Sequence, residues 1–199
     1  MRSSSYHHGD LRRALLGAAA EALATEGAAA LTLRGLAARV GVSRSAPYRH
    51  FETKEALLAA VAAEGFERLA TAVQTARQNV ATSDETFVAL AKAYVAFARA
   101  HPSHYRLMYG REALSRQDHP ALQDAADGLY DALTAAITEA QAAGLVRSGE
   151  VAPLVGIAWA LVHGLAMLLV EGQMEPPASD DTLAELAART LLRGLSPAD

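Results

Sequence analysis

Segment 32–51, TLRGLAARVGVSRSAPYRHF, restricts the possible folds of this chain more than any other stretch. Thr32 is a good N-cap for a short helix, and Gly41 supplies the turn that ends it. Ser43 is a second N-cap, which predicts another short helix over residues 44–50. Two short helices joined by a tight turn form a helix-turn-helix unit, whose second helix is shaped to enter the major groove of DNA.

The rest of the chain shows apolar residues at helical spacing, separated by glycine, proline and polar clusters. No stretch has the strict alternation of a β-strand. The predicted helices cover approximately residues 10–26, 33–40, 44–50, 54–78, 83–100, 103–109, 119–143, 150–172 and 182–194. The sequence therefore predicts an all-α fold of about nine helices. We expect a three-helix helix-turn-helix domain over residues 1–53 and a helical bundle over 54–199, in which the first part of the connecting helix, 54–66, packs on the N-terminal domain.

The charge is distributed unevenly along the chain. The net charge is −4, yet residues 1–60 carry eight Lys and Arg against five Asp and Glu. The remainder carries ten basic and seventeen acidic residues. Such a split is expected when only one part of a chain meets phosphate. The absence of cysteine excludes disulfides, thiolate catalysis and cysteine-based zinc sites.

Side chains in and around the predicted second helix suit DNA. Arginine pairs bidentately with the O6 and N7 atoms of guanine, serine bonds several bases, and a tyrosine hydroxyl bonds a phosphate. A capped helix start beside a positive charge also presents backbone amides to a phosphate. On this chemistry the candidates are Thr32, Arg34, Arg44, Ser45, Tyr48, Arg49 and Lys54. A helical hairpin with solvated arginines is the alternative.

The stretch GLAARVGVSRSAPYRHFETKEALL resembles the DNA-binding segment of TetR-family transcriptional repressors. In that family an apolar helix precedes Gly-Val-Ser, Tyr-x-His-Phe closes the recognition helix, and a lysine opens the next helix. Residues 41–43, Tyr48, residues 50–51 and Lys54 match this pattern, and the resemblance covers residues 8–66. It implies DNA contacts by Thr32, Arg34, Ser43, Arg44, Ser45, Tyr48, Arg49, His50 and Lys54.

Pro47 departs from the family pattern, in which leucine is commoner at this position. With Ser43 as the N-cap, Pro47 lacks the N–H that would bond the Ser43 carbonyl, and its ring crowds that oxygen. The first turn is therefore expected to be shifted or distorted. A short arm with Arg2, His7 and His8 is a further place for phosphate contact, although a frayed terminus is the simpler interpretation.

Residues 153–170, PLVGIAWALVHGLAMLLV, contain no charged side chain. Their length reaches the lower limit of a transmembrane helix, but proline, tryptophan, histidine and two glycines lower the apolarity and acidic residues follow. We therefore expect a helix buried on nearly all sides. Its small residues Gly156, Ala160 and Gly164 are spaced four apart and allow another helix, such as that of a twofold partner, to approach closely.

The motif Trp159-x-x-x-His163-Gly164 resembles the C-terminal signature of a TetR branch named for its Trp, His and Gly. The resemblance implies a regulatory body of five helices and a homodimer built on the last two long helices of each subunit. The expected dimer residues are Gly156, Ala160, Gly164, Leu183, Leu186 and Thr190.

A small-molecule pocket is expected among the helices between residues 87 and 167. Its candidate lining residues are Tyr94, Phe97, Tyr105, Met108, Tyr109, Tyr130, Trp159, His163 and Met167. Aromatic and methionine side chains at helical spacing are also found in plain core. His163 lies in an apolar helix and must find a polar partner, which is either a ligand or a neighbouring side chain.

These observations favour a cytoplasmic homodimeric repressor that binds double-stranded operator DNA and is released by a small, largely apolar ligand. The alternative is an activator or a ligand-independent regulator of the same fold. We expect no cofactor, no metal site and no catalytic residue, since no nucleophile elbow, phosphate loop or metal triad occurs. An all-helical enzyme and a membrane-associated module built on residues 153–170 are the competing classes.

Overall fold

The structure is a computed structural model that describes residues 8–110, 114–175 and 179–197. Within these ranges it contains nine α-helices and no strand, which confirms the all-α class. The helices are α1 (His8–Thr25), α2 (Gly27–Ala30), α3 (Leu33–Val40), α4 (Lys54–Gln78), α5 (Ser83–Ala100), α6 (Pro102–Tyr109), α7 (Pro120–Ala142), α8 (Val151–Val170) and α9 (Asp180–Leu195). The suggested N-terminal arm, with Arg2, His7 and the side chain of His8, lies outside the described part.

The described residues contain as many α-helices as the sequence predicts, but one predicted helix is missing and one observed helix was not predicted. The helix predicted over residues 44–50 is absent, and a 3-10 turn at Pro47–Arg49 stands in its place. The short helix α2 was not predicted. It begins at Gly27, whose φ of 78° reverses the chain after α1, and continues through three alanines. The glycine therefore ends α1 as expected but is followed by a further turn of helix.

The chain divides into two compact units: Met1–Gly65 with Ser103–Asp124, and Phe66–Pro102 with Ala125–Asp199. This division differs from the boundary expected after residue 53. The first half of α4 belongs to the N-terminal unit, as the expected packing of residues 54–66 implies, and α6 belongs there as well. The functional boundary at residue 53 stays a prediction.

The first unit has its core between α1, α3 and the segment that follows α3. Leu15, Leu36 and Phe51 are buried, whereas Val40 and Val42 are half-buried. In the same unit α6 approaches α4 at Gly65, where an added Cβ would lie 2.7 Å from the Met108 sulfur. This glycine therefore permits a close contact that a larger residue would obstruct.

The second unit is built from the second half of α4 together with α5, α7, α8 and α9. One cluster of its core joins Phe87, Ile137, Val155 and Leu195, all of which are buried. Burying such a side chain contributes about 1.5–3 kcal/mol, so this cluster stabilises the unit. The apolar faces of four helices thus meet around one core, as the helical periodicity predicts.

Ion pairs join α9 to α5 along the same unit. Lys92 lies 3.1 Å from Asp181 and 3.0 Å from Glu185, and these hydrogen bonds raise the lysine pKa. Arg99 donates to Asp180 at 2.8 Å and to the Leu169 carbonyl at 3.0 Å. Arg99 therefore connects the end of α8 with the start of α9.

The apolar helix α8 buries only one side within this chain. Leu154, Val155, Leu165 and Leu169 are buried, but Trp159 is 39% exposed. Within this single chain α5 and α9 pack against only part of the helix, so the expected burial on nearly all sides requires a partner helix and stays a prediction. In the described residues α8 alone is long and apolar enough to cross a membrane, a test that core helices of soluble proteins also pass.

Candidate nucleic-acid interface and helical body

Helix α3 begins and ends through the two residues that the sequence indicates. The Thr32 hydroxyl accepts a hydrogen bond from the Gly35 amide at 3.0 Å, which satisfies one free amide of the first turn. Gly41 has a φ of 75°, and its amide bonds the Ala38 carbonyl at 3.3 Å. The left-handed conformation reverses the chain, so that Val42 can donate to the Ala37 carbonyl.

The segment after Gly41 is a pair of tight turns and not the predicted α-helix. The Ala46 amide donates to the Ser43 carbonyl at 3.0 Å, and the Phe51 amide donates to the Pro47 carbonyl at 3.0 Å. The predicted helix is wrong because Pro47 has no N–H to continue the bonding from Ser43. Pro47 is buried, so its ring also fixes this segment to the core.

The prediction that Ser43 caps a recognition helix fails for the same reason. The residue at the cap of the 3-10 turn is Ala46, whose methyl group cannot accept a hydrogen bond. The Ser43 hydroxyl instead lies 3.4 Å from the Ser45 hydroxyl. Both serines and Arg44 are exposed, so the turn presents polar side chains to the solvent although it is not helical.

The start of α4 gives the interface its second capped helix. The Thr53 hydroxyl accepts a hydrogen bond from the Ala56 amide at 3.0 Å. The Lys54 ammonium donates to the Ala29 carbonyl at 3.3 Å, which holds the lysine beside the end of α2. The unforeseen α2 therefore supplies the acceptor that orients one of the predicted contact residues.

An open groove of about 410 Å³ lies between the starts of α3 and α4. One wall of this groove is formed by Ala29, Leu31, Thr32 and Leu33. Its polar lining consists of Thr32, Tyr48, Glu52, Thr53 and Lys54. Three predicted DNA contacts thus share one concave surface, with two helix N-termini and a lysine that attract an anion.

The nine predicted DNA contacts differ in their accessibility. Seven of them are exposed, namely Thr32, Arg34, Ser43, Arg44, Ser45, Tyr48 and Arg49. Lys54 and His50 are half-buried, and the Nε2 atom of His50 is out of contact with solvent. The structure therefore leaves the first seven side chains accessible and places His50 partly inside the unit.

Two supporting interactions in this unit were missed by sequence reasoning. The Arg12 guanidinium lies 5.5 Å from the centre of the Phe51 ring, a cation–π contact that ties α1 to the end of the turn segment. Arg39 forms an ion pair with Glu26, so α3 is joined to the loop after α1. Both contacts join residues far apart in sequence, where no periodic pattern indicates a pair.

The predicted pocket residues are divided between the two units. Tyr105, Met108 and Tyr109 belong to the first, and the rings of the two tyrosines are 5.1 Å apart. Tyr94, Phe97, Tyr130, Trp159, His163 and Met167 belong to the second. The pocket as a whole remains a prediction.

In the second unit His163 contacts two of the other candidate residues. The Tyr94 hydroxyl lies 3.2 Å from His163 Nδ1, and the ring of Trp159 lies 5.2 Å from the imidazole. Burial lowers the pKa of His163, which favours its neutral form. The polar partner expected for His163 is therefore a tyrosine of α5. Tyr130, another candidate for the pocket, is 46% exposed.

The residues predicted to form the dimer interface lie at the surface of this chain. Gly156, Ala160, Leu186 and Thr190 are exposed, and Gly164 and Leu183 are half-buried. A Cβ added at either glycine would meet no other atom within 4 Å. The small-residue stripe of α8 is thus not used for packing inside the chain.

Comparison with known proteins gives matches over most of the chain. Residues 15–61 match the family model of bacterial regulatory proteins of the tetR family. Residues 87–191 match the tetracyclin repressor-like C-terminal domain. The regulator Rv1816 of Mycobacterium tuberculosis, described as an HTH-type transcriptional regulator, is 29% identical over 131 residues. That match covers 65% of this chain but only 54% of the mycobacterial protein.

Two solved structures extend the comparison. A protein of unknown function from Rhodococcus sp. RHA1 is 38% identical, with a TM-score of 0.87 over 98% of this chain and 100% of its own. FadR of Bacillus subtilis, solved with stearoyl-CoA, is 16% identical, with a TM-score of 0.76 over 92% of this chain and 98% of its own, and shows a likeness of fold. Because the C-terminal model alone covers more than half of the sequence, this chain belongs to the TetR family of regulatory proteins.

Proposed function

We propose that this protein is a sequence-specific DNA-binding transcriptional regulator that acts as a homodimeric repressor. The observation that carries the proposal is the groove between α3 and α4, which gathers Thr32, Tyr48 and Lys54 beside the exposed turn with Arg44 and Arg49. Family members are transcription factors and not enzymes, which excludes the enzymatic alternative.

The exposed turn and the groove have different tasks in this proposal. Arg44, Ser45 and Arg49 face base edges in the major groove, where a bidentate arginine discriminates against a wrong base by about 1–3 kcal/mol. Thr32, Tyr48 and Lys54 bind phosphates, which fixes the register on the duplex without reading its sequence. The remaining predicted contacts, Arg34, Ser43 and His50, flank these groups.

A homodimer is supported by the apolar surface that a single chain leaves uncovered. Ile157, Trp159 and Leu161 on α8 are exposed, as is Leu186 on α9, which is accessible to 57%. Large exposed apolar patches are typical of protein interfaces. Two copies related by a twofold axis read half-sites about 34–36 Å apart, one turn of the duplex.

Release by a small, largely apolar ligand is supported by the cluster of Tyr94, Trp159 and His163 in the second unit. FadR of Bacillus subtilis, which shares the fold, was solved with stearoyl-CoA. A ligand that favours one dimer shape over another lowers DNA affinity by a coupling free energy of about 1–3 kcal/mol.

The cellular location that this function requires is the cytoplasm, where the protein meets chromosomal DNA.

The DNA-binding proposal is tested with duplexes selected from a random library by the wild-type protein. Arg44→Ala and Arg49→Ala are each expected to weaken binding in a gel-shift assay by about 5- to 150-fold, the equivalent of one lost base contact. Arg147→Ala is the matched control, because it removes one exposed arginine from the turn between α7 and α8. All three variants lower the net charge equally.

Equal affinities for the three variants would overturn the assignment of the turn as the reading element. The alternative of an activator of the same fold is favoured if a reporter gene downstream of the selected duplex is expressed only with the protein present. Ligand independence is favoured if a panel of fatty acids and acyl-CoA thioesters leaves DNA binding unchanged.

A further inference from the structure

The groove contains one carboxylate that phosphate binding does not use. Glu52 lines it together with Thr32, Tyr48, Thr53 and Lys54. Its side chain is exposed, and within the described residues no ion pair or hydrogen bond joins it to another side chain. Lys54, two residues away, directs its ammonium to the Ala29 carbonyl. Among the described residues Glu52 therefore has no ion-pair partner, and its negative charge lies in the cleft where the proposed function places a phosphate.

Local stability does not require an acid at this position. Thr53 already caps α4 through the Ala56 amide, and Glu55 supplies an acidic residue in the first turn. An acid near a helix N-terminus stabilises the helix only modestly. Glutamate at position 52 thus adds little to α4 that its neighbours do not provide.

We propose that Glu52 limits the affinity of this protein for DNA. The inference rests on the proposed function, because the repelled group is a phosphate of the duplex. When a strand enters the groove, its phosphate gains the attraction of Lys54 and two helix N-termini and experiences the repulsion of Glu52. Like charges brought together at an interface are unfavourable. The carboxylate lowers binding to every duplex, whatever its sequence.

Limited affinity has a use in a regulator that must be released. A coupling of about 1–3 kcal/mol changes affinity by only 5- to 150-fold. A protein that binds its operator too strongly remains bound even when its ligand is present. Glu52 therefore keeps operator affinity within the range that a ligand can reverse.

The test compares Glu52→Gln with Glu55→Gln. Both substitutions remove one negative charge from exposed positions three residues apart, but only residue 52 lines the groove. Affinities are measured by fluorescence anisotropy for the selected operator and for a random duplex of the same length, in EDTA and about 0.1 M salt. Glu52→Gln is expected to tighten binding to both duplexes by about three- to tenfold, against less than twofold for Glu55→Gln.

Salt dependence gives a second readout. The advantage of Glu52→Gln should diminish as KCl rises from about 0.05 to 0.3 M, because exposed charges are screened. Thermal melting of both variants establishes that they fold. Equal effects of the two substitutions, or weaker DNA binding by Glu52→Gln, would refute the inference; weaker binding would indicate that Glu52 accepts a hydrogen bond from a base. If the wild-type protein binds neither duplex, it is the proposed function that fails.

Discussion

Replacing Gly41 by alanine tests whether the left-handed turn after α3 determines the geometry of the interface. Gly41 has a φ of 75°, and an added Cβ would meet no atom within 4 Å. The cost of the substitution is therefore conformational and not steric. Placing an L-residue in the left-handed region costs about 1–2 kcal/mol. We expect Gly41→Ala to lower the free energy of unfolding by this amount.

The matched control is Gly17→Ala in the same unit. Gly17 is exposed in the interior of α1, and its Cβ would also meet nothing within 4 Å. Alanine in a helix interior is favoured over glycine by about 1 kcal/mol, so this variant should be more stable than the wild type. The same substitution of glycine by alanine should therefore lower the free energy of unfolding at position 41 and raise it at position 17.

Urea denaturation followed by circular dichroism measures both effects. The two variants should differ in unfolding free energy by about 2–3 kcal/mol, the sum of the backbone strain and the helix propensity. Gly41→Ala should also weaken DNA binding, because the strained turn displaces Arg44 from its position. If Gly41→Ala is as stable as Gly17→Ala, the chain reversal after α3 does not depend on the left-handed conformation, and the reasoning is refuted.

Three further outcomes are expected. Thr32→Ala removes the cap of α3 and should lower stability by about 1 kcal/mol in urea denaturation, whereas Thr32→Ser should retain most of it. Leu186→Glu places a charge on the exposed apolar surface and should convert the proposed dimer to a folded monomer in light scattering; an unchanged mass contradicts this location of the interface. Because burial lowers the pKa of His163, the unfolded chain binds its proton more tightly, and stability should fall as pH drops below the ordinary value of 6.5. His163→Gln should flatten this pH dependence, and an unaltered curve would assign it to other groups.

Local signals predicted most of the helices. Thr32 and Gly41 act through hydrogen bonds and backbone angles within a few residues, and both occur where the sequence indicates them. The same holds for α4, which begins directly after Thr53. Capping and turn chemistry are short-range effects, so they can be recognised without knowledge of the fold.

The prediction failed at the segment around Pro47, where two local signals conflict. Ser43 favours the start of a helix. Pro47 would be the fourth residue of that helix, and it cannot complete the first turn because it has no N–H. The structure resolves the conflict in favour of proline, because the buried ring remains attached to the core. The sequence alone indicated distortion but not that a 3-10 turn replaces the helix.

Long-range contacts were not accessible from the sequence. The bond from Lys54 to the Ala29 carbonyl depends on α2, and the pair of Arg39 and Glu26 depends on the packing of α3. Likewise, the aromatic residues of the candidate pocket were chosen by type, and only folding shows that Tyr94 meets His163 while Tyr130 is exposed. Contacts between residues far apart in sequence depend on how the helices pack, and the spacing of apolar residues along the sequence does not determine that packing.

The assignment of α6 to the N-terminal unit limits how this protein can be divided or recombined. The polypeptide leaves that unit after Gly65, returns to it at Ser103 and departs again after Asp124. A fragment that ends near residue 65 therefore lacks Met108, which fills the space above Gly65. A hybrid that exchanges the N-terminal unit with that of a relative must carry two separate stretches of its parent, since a single crossover would leave one helix facing a foreign surface.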